Sequence, residues 1–514
     1  MKTFFLLFCY TSHTCMIGGF FGRLSENLKK TMGSDTMKEH ERGLGPWQLT
    51  MLALGSVIGG SFFLGSAVAI HATGPSILLA FAFGGLLVYF ILTALSEMTV
   101  ANPETGSFRA FAAQSFGTGT GFVVGWVYWT GMVLAMSSEA TAVSILMRNW
   151  LPGLPIAVLG STVIIGVTLL NLLGATQLSK LESGLAIIKI LAILSFVLLG
   201  FALIAGFFPG RGAVGLGVLT QESFLAGGFR SLAGSMLIVM FTYAGFEIIG
   251  LAASEARDPK VTIPKAIRNT VIGLVGLYMV SNAILLPLIP TANLSEEVSP
   301  IVAALNRQGI PWAGAAINVV LITAILSTML AVMFGIGRMM RSLSDEGLAP
   351  HWLKDKTDVP YRGILFSGLT MLLALWFGML FPSVYLFLIS SGGFAILFSY
   401  VVIMLTHIRF RRAHGCPPDG HCQMRGFPYT SLFTLLALLL AIVSMPFVAG
   451  QTSGLIAGIV IVLFYTLSYQ FVRTFQQYKL KLLQNIYRKS HLQFEASEEL
   501  SRWKREQEER DRGD

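Results

Sequence analysis

Long runs of apolar residues, separated by short stretches rich in glycine, proline or charge, recur along the chain from Trp47 to Phe475. Each run is roughly 20 residues long, the length that an α-helix needs to cross a hydrocarbon core of about 30 Å. We therefore predict an all-α polytopic membrane protein. Its twelve transmembrane helices are predicted near 47–70, 75–98, 119–147, 154–174, 183–206, 229–253, 267–290, 313–340, 362–380, 383–406, 431–448 and 454–475.

The same pattern divides the chain into an N-terminal tail over 1–44, a transmembrane domain over 45–476 and a charged C-terminal tail over 477–514. The apolar runs of the first tail are too short to span a membrane, and no small-residue cleavage site follows them cleanly. We expect translation to start at Met32 or Met37, so that the preceding residues do not belong to the native protein. The C-terminal tail mixes acidic and basic residues, which is typical of a solvated helix or a disordered segment.

Composition and charge support the membrane assignment. Of the 514 residues 54% are hydrophobic and only 12% are Asp, Glu, Lys or Arg, about half the charged share of ordinary soluble proteins. The net charge is +9, and 32 of the 36 lysines and arginines fall on one side of the membrane if both termini are cytoplasmic. The positive-inside rule predicts this orientation in the cell membrane. The basic excess then faces anionic membrane lipid, so nucleic acid is not an expected partner.

The four cysteines, Cys9, Cys15, Cys416 and Cys422, all lie in segments that this orientation places in the cytoplasm. Disulfides are rare in that compartment, so we expect no disulfide framework. The last two cysteines share a loop with two histidines, but the spacing of these four residues matches no closed zinc site. The sequence therefore predicts no metal and no cofactor.

Two of the predicted helices carry interruptions at mid-depth. The first contains Gly55-Ser-Val-Ile-Gly-Gly-Ser61, and the sixth contains Phe241-Thr-Tyr-Ala-Gly-Phe-Glu247. Unwound backbone is tolerated within a bilayer only where it lines a protein cavity, so matching breaks in two halves indicate a transporter binding site. Because each of these helices is the first in a set of five, their spacing predicts two inverted five-helix repeats plus two additional helices.

The ends of broken helices have a defined chemistry. Free N–H groups at the start of a half-helix suit a carboxylate, and free carbonyl groups at the end of a half-helix suit an ammonium group. The pair of breaks therefore favours a zwitterion as substrate. The predicted substrate-binding residues are Ser56, Ile58, Gly59, Gly60, Ser61, Phe241, Thr242 and Gly245.

An ordered set of motifs carries a family resemblance over roughly Gly43 to Phe475. The motifs are Gly55-Ser-Val-Ile-Gly-Gly-Ser-Phe-Phe-Leu-Gly65, Pro103-Glu-Thr-Gly-Ser-Phe108, Gly245-Phe-Glu247, Ala253-Ser-Glu-Ala-Arg-Asp-Pro259, Ile263-Pro-Lys-Ala-Ile267, and Arg341 through Asp345-Glu-Gly-Leu-Ala-Pro350. The chain resembles the amino acid–polyamine–organocation superfamily, and within it the bacterial γ-aminobutyrate and amino acid permeases. The resemblance implies a leucine-transporter-type fold and alternating access, with amino acid uptake driven by an ion gradient. Ser61 stands where the family usually has a third glycine, which leaves the substrate open.

Lys189 lies about 9 Å from the cytoplasmic end of the fifth predicted helix. One interpretation is that its side chain snorkels to the headgroups. The other is that its ammonium group occupies the place that sodium fills in related carriers, bonded to carbonyls near Gly55 and to hydroxyls such as Ser327 or Thr328. Proton-coupled relatives carry a lysine at this position, and burial disfavours the charged form of lysine. We therefore predict that Lys189 couples transport to protons.

Three glutamates lie within predicted helices. Glu139 is a candidate for contacting the substrate amine or relaying protons, with a structural hydrogen bond as an equal alternative. Glu247 follows the second break, and we favour a structural or gating role for it over direct substrate contact. Glu97 is expected to pair with a cation in a loop and is not predicted to be a site residue.

Other protein classes fit less well. The chain has no Walker-type phosphate loop and no His-Glu-x-x-His motif, so neither a primary pump nor a membrane enzyme with catalytic residues is expected. We predict a secondary active transporter that imports an amino acid, with proton symport as its mechanism. An amino acid exchanger and a non-transporting nutrient sensor remain as alternatives, and the sequence does not define the oligomeric state.

Overall fold

The computed structural model describes residues 43–102, 107–207, 212–251, 256–355, 359–416 and 422–474, together with 499 and 501–503. The predicted terminal tails lie outside these ranges except for 43, 44, 499 and 501–503. The helices are α1 Pro46–Val57, α2 Ser66–Thr73, α3 Ile77–Ala101, α4 Ser107–Phe116, α5 Thr118–Met147, α6 Ile156–Asn171, α7 Ala175–Ala205, α8 Gly228–Thr242, α9 Ile248–Leu251, α10 Pro259–Leu285, α11 Pro300–Arg307, α12 Pro311–Asp345, α13 Tyr361–Gly378, α14 Val384–His414, α15 Tyr429–Val443 and α16 Gln451–Thr474.

The described residues form a multi-pass helical membrane protein, as predicted. Eight of their helical stretches are long and apolar enough to cross a membrane, and α6, α8 and α15 are shorter apolar helices. Two predicted helices are each divided: 47–70 becomes α1, a π-helical turn at Ser61–Gly65 and α2, whereas 229–253 becomes α8 and α9. Twelve crossings and the five-plus-five repeat therefore stay predictions.

Proline and glycine define several helix ends. Pro46, Pro259 and Pro311 each stand in the first turn of a helix, where the missing N–H group has no intrahelical partner to lose. Gly206 follows α7 in the left-handed conformation with φ +78°, which a glycine adopts without a steric penalty. These residues therefore fix where the helices begin and end.

Helices α5 and α14 lie at the centre of the molecule. Of the 18 most apolar consecutive residues in each helix, 83% are buried in α5 and 94% in α14, but only 6% in α16. Helix α14 packs along α5, and both contact the residues around the breaks in the first and sixth predicted helices. The centre of the fold is therefore the place where the two breaks meet side chains from other helices.

Candidate functional site

The first break follows α1. Ile58 is extended, with φ −74° and ψ +97°, and helical structure resumes as a π-helical turn at Ser61. A Cβ atom on Gly60 would lie 2.6 Å from Glu139 Oε2 and 3.2 Å from Ile325 Cδ1. The predicted interruption is therefore present, and Gly60 is required because α5 and α12 approach its backbone closely.

A carboxylate binds the free N–H groups of this break. The backbone N–H of Gly60 donates to Glu139 Oε2 at 2.6 Å, and that of Ser61 donates to Glu139 Oε1 at 3.1 Å. Glu139 projects from α5 and is buried. The N–H groups that the sequence assigns to a substrate carboxylate are thus paired with a carboxylate of the protein itself.

A cation binds the carbonyl side of the same break. Lys189 Nζ on α7 donates to the Gly55 carbonyl at 2.6 Å and to Thr328 Oγ1 at 2.8 Å. Thr328 Oγ1 in turn donates to the Ile58 carbonyl at 2.8 Å. Lys189 is 0% exposed, so the snorkelling interpretation is wrong and the predicted contacts with Gly55 and Thr328 are confirmed. Ser327 Oγ, the other hydroxyl suggested for this contact, has no hydrogen-bond partner among the described residues.

The second break follows Thr242, where α8 ends, and contacts the first break directly. Gly245 has φ +106°, and a Cβ atom on it would lie 2.9 Å from the Ser56 carbonyl oxygen. Ser56 Oγ donates to the Gly245 carbonyl at 3.0 Å. Only glycine fits this position, because the backbone is left-handed and the Ser56 backbone leaves no room for a side chain.

Glu247 stabilises the second break from within. Its Oε2 accepts the N–H of Gly245 at 3.0 Å, and its carboxylate also accepts the hydroxyls of Tyr128 on α5 at 2.9 Å and Tyr400 on α14 at 3.1 Å. The side chain is buried, and all three donors are neutral. These contacts favour the structural or gating role that the sequence suggests.

A narrow cavity of about 20 Å³, room for about one water molecule, lies beside the two breaks. Its lining residues are Ser56, Val57, Ser61, Met132, Ala135, Met136, Glu139, Phe241, Ala244, Gly245, Thr328, Val332 and Ile396. Of the predicted substrate-binding residues, Ile58, Gly59, Gly60 and Thr242 do not line it. The Thr242 hydroxyl instead donates to the Ile238 carbonyl one turn earlier in α8.

Several lining residues were not predicted. Met132, Ala135 and Met136 stand seven, four and three positions before Glu139 on α5. That spacing places them on the same helical face as Glu139, so helical periodicity alone would have identified them. Ile396 on α14 carries no comparable signal in the sequence.

Glu97 belongs to a separate buried cluster. It pairs with His407 at 2.8 Å and with Arg411 at 2.8 Å, both on α14, and it accepts the backbone N–H of Met424 at 2.7 Å. The expected loop cation is wrong, because Arg411 stands in the last turn of α14 and its guanidinium group reaches Glu97 near the C-terminal end of α3. The loop contributes a backbone donor instead.

The cysteine prediction also needs correction. Cys416 and Cys422 form a disulfide with a Cα–Cα distance of 5.2 Å, within the range that a disulfide spans. The described residues contain no group of three or more His, Cys, Asp or Glu side chains placed to hold a metal ion. His421, one of the two histidines considered for zinc, lies outside the described residues.

Two broken membrane helices that meet beside a cavity are the arrangement of secondary transporters. Residues 48–488 match the family model described as amino acid permease. The chain belongs to the amino acid permease family, whose members are transporters and not enzymes.

The names of similar proteins agree with this family assignment. The γ-aminobutyric acid permease of Bacillus subtilis (strain 168) is 33% identical over 427 residues, covering 80% of this chain and 91% of the relative. The probable threonine/serine transporter YbxG of the same organism is 32% identical, covering 84% and 95%. The aromatic amino acid transport protein AroP of Escherichia coli (strain K12) is 33% identical, covering 74% and 84%.

A solved structure shares the fold. It is the manganese transporter of Eremococcus coleocola in complex with an aromatic bis-isothiourea substituted compound, with a TM-score of 0.50 and 14% identity. The alignment covers 83% of this chain and 93% of the transporter. This likeness concerns the fold alone, so the substrate has to be argued from the site.

Proposed function

We propose that the protein is a secondary active transporter that imports a neutral amino acid by alternating access, in symport with protons. The observation that carries the proposal is the double occupation of the first break. A carboxylate from α5 binds its N–H groups, and an ammonium group from α7 binds the Gly55 carbonyl on its other side. Both ionisable groups are buried in direct contact with the backbone beside the cavity.

The N–H groups of Gly60 and Ser61 are the seat of the substrate carboxylate in this proposal. Two carboxylates do not share the same pair of donors, because like charges at hydrogen-bonding distance repel strongly in a medium of low polarity. Glu139 therefore moves away from the break when substrate arrives. Its carboxylate then pairs with the substrate ammonium group, which combines the substrate contact with the structural hydrogen bond considered for Glu139.

Lys189 is the proton-coupling group. A protonated lysine makes charge-assisted hydrogen bonds with the Gly55 carbonyl and Thr328. A neutral lysine in a buried place loses that charge and weakens both contacts, so protonation is linked to the position of α1 against α7 and α12. The proton gradient thus acts on the same break that holds the substrate, from its carbonyl side.

The rest of the cavity favours an uncharged, apolar substrate side chain. Away from the breaks it is lined by Met132, Met136, Val332 and Ile396, with Phe241 beside the second break. Apolar walls bind a charged side chain poorly, because its desolvation is not compensated. Methionine side chains adapt to different shapes, which suits a site for several related amino acids.

The proposal is tested in two steps. A thermal-shift screen of the purified protein against the twenty amino acids, γ-aminobutyrate and polyamines identifies binders, because a ligand that binds the folded state raises apparent stability. Uptake of a binder is then measured in proteoliposomes with and without an inward proton gradient. We expect accumulation only with the gradient. Uptake that requires a second amino acid inside the vesicle and ignores the gradient would establish an exchanger, and binding without any uptake would establish a sensor.

We further propose that both termini are cytoplasmic in the cell membrane. The last turn of α14 carries Arg411, Arg412 and His414, and this orientation places that turn at the inner surface. Membrane-impermeant labelling of single cysteines introduced into the two tails tests this orientation.

A further inference from the structure

The loop between α14 and α15 contains a paired set of thiols outside the proposed substrate site. Cys416 follows α14 by two residues, and its sulfur is bonded to that of Cys422. Cys422 is exposed and Cys416 is half-buried. Small redox reagents therefore have access to at least one end of the pair.

The loop lies on the side of the membrane that we propose to be cytoplasmic. Disulfides that occur in that compartment are usually transient and are catalytic or redox-sensing, because glutathione keeps thiols reduced. A disulfide at this place is thus explained by a reversible function rather than by permanent stabilisation.

The loop is anchored to the helical core immediately after the cysteine pair. The backbone N–H of Met424, two residues beyond Cys422, donates to Glu97 Oε1 on α3 at 2.7 Å. Met424 is buried, and its sulfur accepts the Ser431 hydroxyl of α15 at 3.1 Å. Glu97 also holds Arg411 of α14. The loop therefore joins α3, α14 and α15 through one buried carboxylate.

We propose that Cys416 and Cys422 are a reversible thiol–disulfide switch, oxidised by a low-molecular-weight disulfide such as oxidised glutathione, that slows transport when oxidised. A thiolate of the pair attacks oxidised glutathione and forms a mixed disulfide, releasing one reduced glutathione. The second thiolate of the pair attacks the protein sulfur of that mixed disulfide and releases the second reduced glutathione. The two protons leave the protein thiols and protonate the departing thiolates, so atoms and electrons balance.

The size of the effect follows from the loop length. The connection between His414 and Tyr429 has 14 residues, and the disulfide bypasses the five between Cys416 and Cys422. Closing a connection of 14 residues down to about nine lowers the entropic cost of holding its two ends in place, which stabilises the anchored arrangement roughly twofold. Oxidation is therefore expected to slow any step in which α3 separates from α14. The transport effect rests on the proposed function, whereas the chemistry of the pair does not.

The chemistry is tested first, in a variant carrying Cys9→Ser and Cys15→Ser so that only the pair remains. Cells are lysed under acid, free thiols are alkylated with a mass-tagged maleimide, and intact protein is weighed. We expect two tags under reducing conditions and none after treatment with oxidised glutathione, with full reversal by dithiothreitol. A pair that never oxidises, or one that stays oxidised in untreated cells, overturns the proposal. Labelling of the reduced pair in intact cells by a membrane-impermeant maleimide overturns it too, since the loop would then be external.

The functional effect is tested in proteoliposomes with oxidised or reduced glutathione. We expect uptake roughly twofold slower with the oxidised form, in the full-length chain and in the Cys9→Ser, Cys15→Ser control. The single variants Cys416→Ser and Cys422→Ser are expected to transport equally fast in both conditions. Equal rates in all proteins overturn the regulatory part of the proposal. If no form transports at all, the proposed function fails, and the alkylation result still decides whether the pair is a redox switch.

Discussion

The two breaks differ in where their hydrogen-bond partners come from. The first break is held by ionisable side chains of other helices, Glu139 on α5 and Lys189 on α7. The second break is held by Glu247, only two residues from Gly245, together with neutral tyrosine hydroxyls. The first break depends on ionisable groups of two other helices, so it responds to substrate and protons. The second depends on a carboxylate two residues away, which neutral hydroxyls hold in place, so it keeps its shape. We infer that the first break performs binding and coupling and that the second holds the geometry.

The largest effect is expected from Lys189→Ala. This change removes the buried cation from the first break and leaves the Gly55 carbonyl without its charged donor, so gradient-driven accumulation should fall by about a hundredfold or more. Accumulation in proteoliposomes under a proton gradient measures this. The matched control is Lys354→Ala, whose side chain is 47% exposed at the surface and which should accumulate normally. Full pH-driven uptake by the Lys189 variant would rule out its coupling role.

Glu139→Gln comes next. The amide is similar in size to the carboxylate but carries no charge to pair with the substrate ammonium group. Losing a charged hydrogen bond costs about 1.5–3 kcal/mol, so substrate affinity should fall roughly ten- to hundredfold. Isothermal titration with the best binder measures the affinity. Unchanged affinity would mean that Glu139 is only a structural partner of the break.

Gly245→Ala tests whether the second break has a fixed geometry. The substitution forces a Cβ atom toward the Ser56 carbonyl at a left-handed backbone position, with an expected destabilisation of about 1–3 kcal/mol. The control is Gly276→Ala on α10, where a Cβ atom meets nothing within 4 Å. Thermal denaturation in detergent should show a lower midpoint for the first variant only. Equal midpoints would contradict the close contact between the breaks.

The smallest effect is expected from Tyr400→Phe. It removes one neutral hydroxyl from Glu247 while Tyr128 and the Gly245 N–H remain, so the cost should be about 1 kcal/mol. Uptake and its proton dependence should therefore change little, and the thermal midpoint should fall slightly. A loss of proton coupling in this variant would place Glu247 in the coupling mechanism and remove the distinction between the breaks.

The sequence predicted those parts of the site that local composition determines. The three glycines within 55–61, and Gly245 with the nearby ionisable Glu247, predicted both interruptions, because unwound membrane helices need residues that allow close backbone approach. The contacts of Lys189 with Gly55 and Thr328 were also predicted, with help from the family resemblance.

Contacts that depend on how distant helices pack were not predictable in the same way. Nothing in the sequence fixes the register of α5 against α1, so the pairing of Glu139 with the Gly60 and Ser61 N–H groups appeared only in the structure. The same holds for the tyrosine pair around Glu247 and for the α14 partners of Glu97. The residues were conspicuous because buried charge is costly, but their partners lie far away along the chain.

The most direct measurement of the central claim is a structure of the protein with its amino acid bound. We predict that the substrate carboxylate lies about 3 Å from the backbone nitrogens of Gly60 and Ser61, with Glu139 displaced toward the substrate ammonium group and Lys189 still on the Gly55 carbonyl. A substrate bound elsewhere, with Glu139 unchanged on those two nitrogens, would contradict the account.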